Sequence, residues 1–204
     1  MKRGIEMNLK TLRIGLWVVV AIVAVGAGGL ALLRPQPNAA TASTFGQASF
    51  NLVDQNNNPV DETAFTGHPS LLFFGFTHCP EVCPTTMGEM ASWFEALGDE
   101  GKDLRAYFVT IDPERDTPSV LGDYVSWVSD RITGFTGSPE EVAKLAKGWG
   151  VFYEKVPLEG GGYTMDHTAS VFLLNSKGEF EGTIAYREDE AAVMDKIHNL
   201  LAKS

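Results

Sequence analysis

Cysteine is scarce in this sequence, whose 204 residues include only Cys79 and Cys83. Two cysteines cannot form the framework of several disulfides that stabilises small secreted domains. A disulfide between these two would close a loop of only five residues, and so short a loop stabilises a fold little. We therefore interpret the pair as a metal-binding or redox-active dithiol rather than as a structural crosslink.

Basic residues are also few, and they are unevenly distributed. The chain has 16 Lys and Arg against 26 Asp and Glu, a formal net charge of −10. Residues 1–34 hold five of the bases and one acid, so the rest of the chain carries a formal charge of −14. A domain this acidic repels a phosphate backbone, and we expect no nucleic-acid partner.

The long run without charge is residues 14–33, which read IGLWVVVAIVAVGAGGLALL. A helix of this length spans about 30 Å, the thickness of a hydrocarbon core. Four basic residues precede the run, and by the positive-inside rule they place residues 1–13 in the cytoplasm. We predict a single transmembrane helix at residues 14–33, a polar linker at residues 34–45 and an outward-facing domain at residues 46–204.

A cleavable signal peptide is the alternative for the same segment, because residues 40–42 read Ala-Thr-Ala. Arg34 and Pro35 separate that pattern from an apolar run longer than the usual signal core, which favours a retained anchor. No cysteine lies near the run, which excludes a lipoprotein, and no transit sequence rich in Arg and Ser precedes it. We expect a single-pass protein of the bacterial inner membrane whose C-terminal domain faces the periplasm.

Residues 46–204 alternate between strand and helix patterns. Short apolar or alternating runs predict strands at residues 50–53, 60, 70–76, 104–111, 132–135, 151–156, 169–175 and 179–186. Apolar faces and capping signals predict helices at residues 84–98, from 117, at 138–150 with a capping box, and at 188–202. Glycine-rich residues 158–166 predict a loop. This order predicts an α/β thioredoxin-like domain with an N-terminal β-hairpin.

The two cysteines follow a continuous apolar strand, in the stretch LLFFGFTHCPEVCPTTM at residues 71–87. A proline after each cysteine disfavours helical geometry there, so the helix is predicted to start at Pro84 with Cys83 as its cap. A helix N-terminus stabilises thiolate, which is both a soft ligand for Cu(I), Zn or Fe–S and the nucleophile of disulfide exchange. The spacing of the cysteines leaves both functions open.

Two thiolates leave a metal ion one or two ligands short, and the chain has four histidines. We interpret His68 in its turn and His198 near the exposed side of the last helix as surface residues, and His78 as pointing away from its neighbouring cysteine. His167 ends the predicted loop, where a thioredoxin-like fold usually places a cis-proline beside the dithiol. Residues 164–172 contain no proline, and His167 is predicted to be the third ligand.

The sequence gives weaker support for other side chains near these positions as metal ligands. Asp166 adjoins His167 but should point away from it in an extended chain, which leaves it a supporting role. Met87 and Met90 fall on the apolar face of the predicted helix and are assigned to the core, whereas Met165 stays open as a further soft donor.

Three segments resemble the signatures of the Sco/SenC copper-chaperone family. They are FGFTHCPEVCP at residues 74–84, VTIDPERDTP at residues 109–118 and DHTASVFLL at residues 166–174. The resemblance covers most of residues 46–202 in matching order. The middle segment holds a loop, DPERDTP, in which we expect Arg115 to pair with Asp116 and shape a turn without a catalytic role.

The resemblance implies a thioredoxin-like fold with copper, as Cu(I) or Cu(II), bound by Cys79, Cys83 and His167. It also implies assembly of the dinuclear copper centre of cytochrome c oxidase subunit II, with a periplasmic copper donor or thiol reductant as a further partner.

Two enzyme functions remain as alternatives. A thiol-disulfide oxidoreductase that reduces the cysteines of the copper acceptor would need Cys79 and Cys83 but not His167. Peroxide reduction is disfavoured, because peroxiredoxins use a single peroxidatic cysteine in a different local setting.

Overall fold

The computed structural model describes residues 15, 17–19, 45–46 and 48–203. The chain divides into two compact units, Met1–Thr41 and Ala42–Ser204. In the first unit the four described residues are helical, and the rest of the predicted anchor lies outside the described residues. Within the described part of the chain, no helix is both long and apolar enough to cross a bilayer.

The second unit is built from short strands and amphipathic helices. Its strands are Leu52–Asp54 (β1), Pro59–Val60 (β2), Ser70–Gly75 (β3), Arg105–Thr110 (β4), Ile132–Thr136 (β5), Tyr153–Pro157 (β6), Tyr163–His167 (β7), Val171–Leu174 (β8) and Phe180–Ile184 (β9). Its helices are Val82–Leu97 (α1), Pro118–Val128 (α2), Pro139–Gly148 (α3) and Glu190–Ala202 (α4), with 3₁₀ turns at Glu62–Phe65 and Gly98–Gly101.

Seven strands form one mixed sheet in the order β2-β1-β5-β4-β3-β8-β9. Strand β3 pairs in parallel with β4 and antiparallel with β8, and all six of its residues are buried. A strand buried on both faces requires the continuous apolar run seen in the sequence. Because β3 and β4 are parallel, the segments that follow them meet at one edge of the sheet.

The predicted N-terminal hairpin is confirmed, since β1 pairs antiparallel with β2 and also with β5. The start of α2 is confirmed as well, with Thr117 accepting the Val120 N–H and Pro118 as the first helical residue. The capping box on α3 is only half formed. Ser138 accepts the Glu141 N–H, but the Glu141 carboxylate instead accepts the backbone N–H of Asn51 at 2.7 Å.

Helix α1 begins at Val82, two residues earlier than predicted. Pro84 is then the third helical residue, where a backbone N–H would have no partner inside the helix. The proline therefore does not prevent Cys83 from entering the first turn. The Glu81 side chain makes no capping hydrogen bond.

The prediction of a loop over residues 158–166 is wrong for its second half. Tyr163–His167 is strand β7, which pairs antiparallel with β6 in a separate two-stranded sheet, with His167 opposite Tyr153. Only residues 158–162 form the turn, and Gly160, Gly161 and Gly162 there all have positive φ. The strand is specified by its pairing with β6, which local composition does not reveal.

Candidate metal centre

Cys79, Cys83 and His167 lie together beyond the carboxyl end of β3. One sulfur from each cysteine and one imidazole nitrogen lie within 4.8 Å of one another. The Cys83 Sγ and His167 Nε2 are 3.5 Å apart although the residues are 84 positions apart in sequence. The structure thus brings together the three predicted ligands in an arrangement that can hold a metal ion.

The two sulfurs differ in their surroundings. Cys83 is fully buried, and its Sγ packs so closely on Gly75 that a Cβ there would lie 2.8 Å from the sulfur. Cys79 is partly exposed in the turn before α1, and both thiols are free. An incoming group therefore meets Cys79 first.

Hydrogen bonding favours a thiolate at Cys79. The side chain of Cys83 donates to it, which lowers the pKa of Cys79 to about 4, with smaller contributions from backbone N–H groups against the opposing effect of burial. The backbone nitrogen of Cys83 lies 3.3 Å from the Cys79 Sγ. The thiolate therefore accepts a hydrogen bond from an N–H group in the first turn of α1. The same interaction, together with burial, raises the pKa of the Cys83 thiol.

A backbone contact sets the tautomer of His167. Its Nδ1 lies 2.8 Å from the carbonyl oxygen of Thr168, and a carbonyl only accepts hydrogen bonds. The proton of the neutral ring is therefore on Nδ1, which leaves the Nε2 lone pair directed at the cysteine sulfurs. The rings of Phe73 and Phe76 contact the imidazole edge to face, at centroid distances of 6.1 and 5.9 Å.

The loop after β4 holds the turn that leads to Cys79. Asp116 is fully buried and accepts the backbone N–H of Thr77 at 3.0 Å, the Thr77 hydroxyl at 2.6 Å and the Thr110 hydroxyl at 2.7 Å. Arg115 forms its ion pair with Asp112, so the expected pairing with Asp116 is wrong. The carboxylate of Asp116 is already occupied by three neutral donors.

A cavity of about 320 Å³ opens beside the site, lined by Cys79 and His167 and also by Phe76, Glu81 and Met165. Met165 is buried and alternates with Asp166, whose side chain is exposed. Alternation along β7 therefore places Asp166 on the strand face opposite His167, although Asp166 also lines the cavity. Met165 is the one methionine of the three considered that borders the cavity, because Met87 and Met90 lie in the core.

The other histidines have separate surroundings. His78 is exposed and contacts the Thr77 hydroxyl, and His198 lies 3.7 Å from Glu100 at the surface. His68 is half-buried, with its ring nitrogens 3.1 Å from the Ser70 hydroxyl and 3.3 Å from the Tyr107 hydroxyl. His68 is therefore a partly exposed residue, as predicted for the surface, but it also has two hydroxyl contacts that the sequence did not predict. None of the three joins a group of potential ligands among the described residues.

Two contacts of the site could not be predicted from the sequence patterns. The Thr168 carbonyl that orients His167 is a backbone atom and has no compositional signal. Tyr163, which donates its hydroxyl to Asp112 at 2.8 Å, falls within the predicted glycine-rich loop. Alternation of residues 163, 165 and 167 on one strand face would have identified it, had β7 been recognised.

The donor set suits a soft ion of low coordination number. Two sulfurs and one imidazole match Cu(I) better than hard ions, and a structural zinc site would require a fourth ligand. The same two sulfurs can also exchange with an external disulfide. The geometry therefore supports metal binding and permits dithiol chemistry.

Comparison with known proteins identifies relatives over most of the chain. The family model described as SCO1/SenC matches residues 38–202. A SCO2-like protein of Rickettsia felis is 34% identical over 133 residues, 64% of this chain and 65% of that protein. The mitochondrial SCO2 homologue of Bos taurus is 30% identical over 198 residues, 91% of this chain and 74% of the relative. The chain thus spans about two thirds to three quarters of the length of these two relatives.

A solved structure agrees with the fold. The structure of copper-bound ScoI from Bradyrhizobium japonicum is 36% identical to this chain, with a TM-score of 0.69, and the match covers 74% of this chain and 97% of ScoI. This likeness confirms the predicted α/β thioredoxin-like fold for the second unit. Together with the family match over residues 38–202, it shows that the chain belongs to the SCO1/SenC family.

Proposed function

We propose that this protein is a copper metallochaperone that carries copper on Cys79, Cys83 and His167. The main support for this proposal is that two cysteine sulfurs and one imidazole nitrogen lie within 4.8 Å of one another. The copper-bound structure of the Bradyrhizobium japonicum relative supports copper as the cargo. The proposed acceptor is the dinuclear copper centre of cytochrome c oxidase subunit II, as the family resemblance implies.

Copper transfer proceeds by ligand exchange in this proposal. Cys79 is already a thiolate and His167 presents a lone pair, so loading requires loss of a proton only from Cys83. Thiols of the acceptor enter on the open side of Cys79 and replace the three ligands in turn, with no change in oxidation state of Cu(I). The fully buried Cys83 is expected to release the ion last.

The test is a Cu(I) competition titration of the full-length chain beside its His167→Ala variant. Loss of one of three ligands should weaken binding at least about tenfold, equivalent to ~1.4 kcal/mol. His198→Ala is the matched control, because that imidazole is exposed and lies 3.7 Å from Glu100 at the surface. Equal Cu(I) affinities for the His167→Ala variant and the unchanged chain would rule out the three-ligand site.

A thiol-disulfide reductase is a second candidate, favoured by the contrast between a partly exposed thiolate at Cys79 and a buried thiol at Cys83. The Cys79 thiolate would attack a disulfide of the acceptor and release one acceptor thiolate. The Cys83 sulfur would then attack Cys79, lose its proton and free the second acceptor thiolate. The acceptor gains two electrons, and the chaperone is left with a Cys79–Cys83 disulfide for a thiol reductant to reduce.

Two variants distinguish the reductase from the metallochaperone. A reductase should retain its rate of disulfide reduction when His167 is replaced by Ala. The Cu(I) affinity of a metallochaperone should fall in the same variant. Cys83→Ser should accumulate the mixed disulfide on Cys79, visible by mass spectrometry. Absence of any mixed disulfide with a disulfide-bonded peptide would reject the reductase.

The anchor at residues 14–33 and the periplasmic orientation belong to the same proposal. The uncharged run and the basic residues before it support them.

A further inference from the structure

Strand β7, which carries His167, belongs to a sheet of its own. β6 and β7 pair only with each other in the described residues, and an isolated two-stranded hairpin is marginally stable in water. Contacts between this hairpin and the main sheet, in addition to the short connection from His167 to β8, therefore contribute to the placement of His167 opposite the two cysteines.

Arg115 makes such contacts from a well-fixed position in the loop after β4. Its Nε donates to the Asp112 carboxylate, and its backbone N–H donates to the Asp112 carbonyl at 3.1 Å. Asp112 is only 1% exposed. Asp116, the residue after Arg115, accepts hydrogen bonds from Thr77 and Thr110. The guanidinium is thus attached to the same edge of the sheet that bears the cysteines.

From that position Arg115 holds the first residue of β7. Its Nη1 donates to the Tyr163 carbonyl at 3.0 Å, and its guanidinium carbon lies 3.9 Å from the centroid of the Tyr163 ring. The Tyr163 hydroxyl closes the cycle by donating to Asp112 at 2.8 Å. Planar stacking combined with two directed N–H bonds is a geometry that arginine provides and lysine does not.

Arg115 also contacts the ring that supports the imidazole. Its guanidinium carbon lies 5.9 Å from the centroid of Phe76. Phe76 is 1% exposed, and its ring meets the His167 ring at 5.9 Å and 88°. The four side chains form a continuous row from Tyr163 through Arg115 and Phe76 to His167.

We infer that Arg115 is a positioning residue of the copper site. It fixes β7 at Tyr163 and supports Phe76, and through both contacts it sets the location of the His167 imidazole relative to the sulfurs. Arg115 does not itself contact the ligand atoms, so its effect passes through His167. The inference rests on the copper site proposed above, but its first consequence concerns the metal-free protein.

The test compares Arg115→Lys with the unchanged full-length chain. Lysine keeps a positive charge beside Asp112 but cannot bond Asp112 and the Tyr163 carbonyl while lying flat on the ring. In the metal-free protein, nitrogen NMR of the His167 ring should show loss of the single Nδ1-protonated tautomer. Cu(I) affinity should fall about 10- to 100-fold, as is typical when the support of a metal ligand is removed.

Arg131→Lys is the matched control. Arg131 also lies over an aromatic ring, Phe94, at 4.0 Å and donates to the carbonyls of Gly101 and Leu104, but it has no contact with the site. This variant should leave the His167 spectrum and the Cu(I) affinity unchanged. Equal effects of the two substitutions would show general weakening of the fold and overturn the inference.

A double-variant cycle separates positioning from stability. In a His167→Ala background, Arg115→Lys should cause no further loss of Cu(I) affinity, because Arg115 acts through that imidazole. An undiminished further loss would reject the inference. If His167→Ala alone left the affinity unchanged, the proposed copper site would fail, whereas an altered imidazole spectrum in Arg115→Lys would still establish the positioning role.

Tyr163→Leu provides a second route if Arg115→Lys fails to fold. It removes the ring under the guanidinium and the hydroxyl bond to Asp112, yet keeps the backbone carbonyl that accepts from Arg115. The same change in the His167 spectrum, with a smaller loss of affinity, is expected. An unchanged spectrum in this variant would contradict the row of contacts.

Discussion

The absence of a side chain at Gly75 allows the Cys83 sulfur to lie against β3. An added Cβ would come within 2.8 Å of both the Cys83 Sγ and the Phe108 ring. Neither neighbour can retreat easily, since both are fully buried. Gly75→Ala should therefore lower the free energy of unfolding by about 1–3 kcal/mol, the usual effect of overpacking. Urea denaturation monitored by tryptophan fluorescence measures the change.

Gly88→Ala is the control for that substitution. Gly88 is exposed in α1, and nothing lies within 4 Å of the added Cβ. Alanine is the better helix former, so this variant should be more stable by about 0.5–1 kcal/mol. If both alanine variants had the same stability, steric contact at Gly75 would not be the cause.

The reactivity of Cys79 should persist to unusually low pH. Its pKa is lowered to about 4 from the ordinary value of 9.0, and the nucleophile is the thiolate that exists above the pKa. Alkylation of the metal-free protein by iodoacetamide should therefore be nearly constant from pH 8 to about 5. The rate should then decline as pH falls through about 4.

The comparison for this pH profile is Cys79→Ser, in which only the buried Cys83 remains. That thiol should react slowly at every pH in the range, because burial raises its pKa and restricts access. Mass spectrometry assigns the labelled cysteine. A rate that already falls tenfold per unit below pH 8 would contradict a thiolate at Cys79.

Among the elements, the loop after β4 is held chiefly by Asp116. Its buried carboxylate accepts three hydrogen bonds from Thr77 and Thr110. Asp116→Ala leaves those donors unpaired and should lower the free energy of unfolding by about 2–5 kcal/mol. Calorimetry measures the change, and Asp123→Ala, an exposed position on α2, should stay within about 0.5 kcal/mol. Similar losses at both positions would refute the role of the three bonds.

Elements with local signals could be predicted from the sequence. The buried run of β3, the Thr117 cap of α2 and the Ser138 cap of α3 each depend on residues within a few positions. The dithiol and His167 were identified for similar reasons, since the cysteines stand out by scarcity and His167 by its place before a strand. The alternation in β7 was missed because its partner β6 is needed to make it a strand.

Pairing of charged side chains was the least predictable feature of the site. Arg115 has acidic neighbours on both sides, at Glu114 and Asp116, and a third at Asp112. Sequence proximity favoured Asp116, but the fold brings Thr77 and Thr110 to that carboxylate and leaves Asp112 to the guanidinium. The choice depends on which strand ends meet at the sheet edge, which is set by strand order rather than by local spacing.

For the whole molecule, the proposed topology is directly testable. Alkaline phosphatase fused after residue 204 should be active in bacterial cells, and green fluorescent protein at the same place should stay dark, because the proposed orientation exports the domain. Deletion of residues 14–33 should reverse both results. A fluorescent fusion of the intact chain would contradict a periplasmic domain. An N-terminus at residue 43 in the untagged protein would identify cleavage instead of anchoring.

The separateness of the β6–β7 sheet has one more consequence. Cys79 and Cys83 lie at the edge of the main sheet and His167 lies in the hairpin. A copper ion bound at the proposed site would therefore link two sheets that share no strand pairing in the described residues. Copper loading should slow amide hydrogen exchange in β7 far more than in β3 or β4, and His167→Ala should abolish that difference. If the protein delivers copper as proposed, release of the ion would remove this link, so the mobility of the hairpin would differ between the copper-loaded and the copper-free protein.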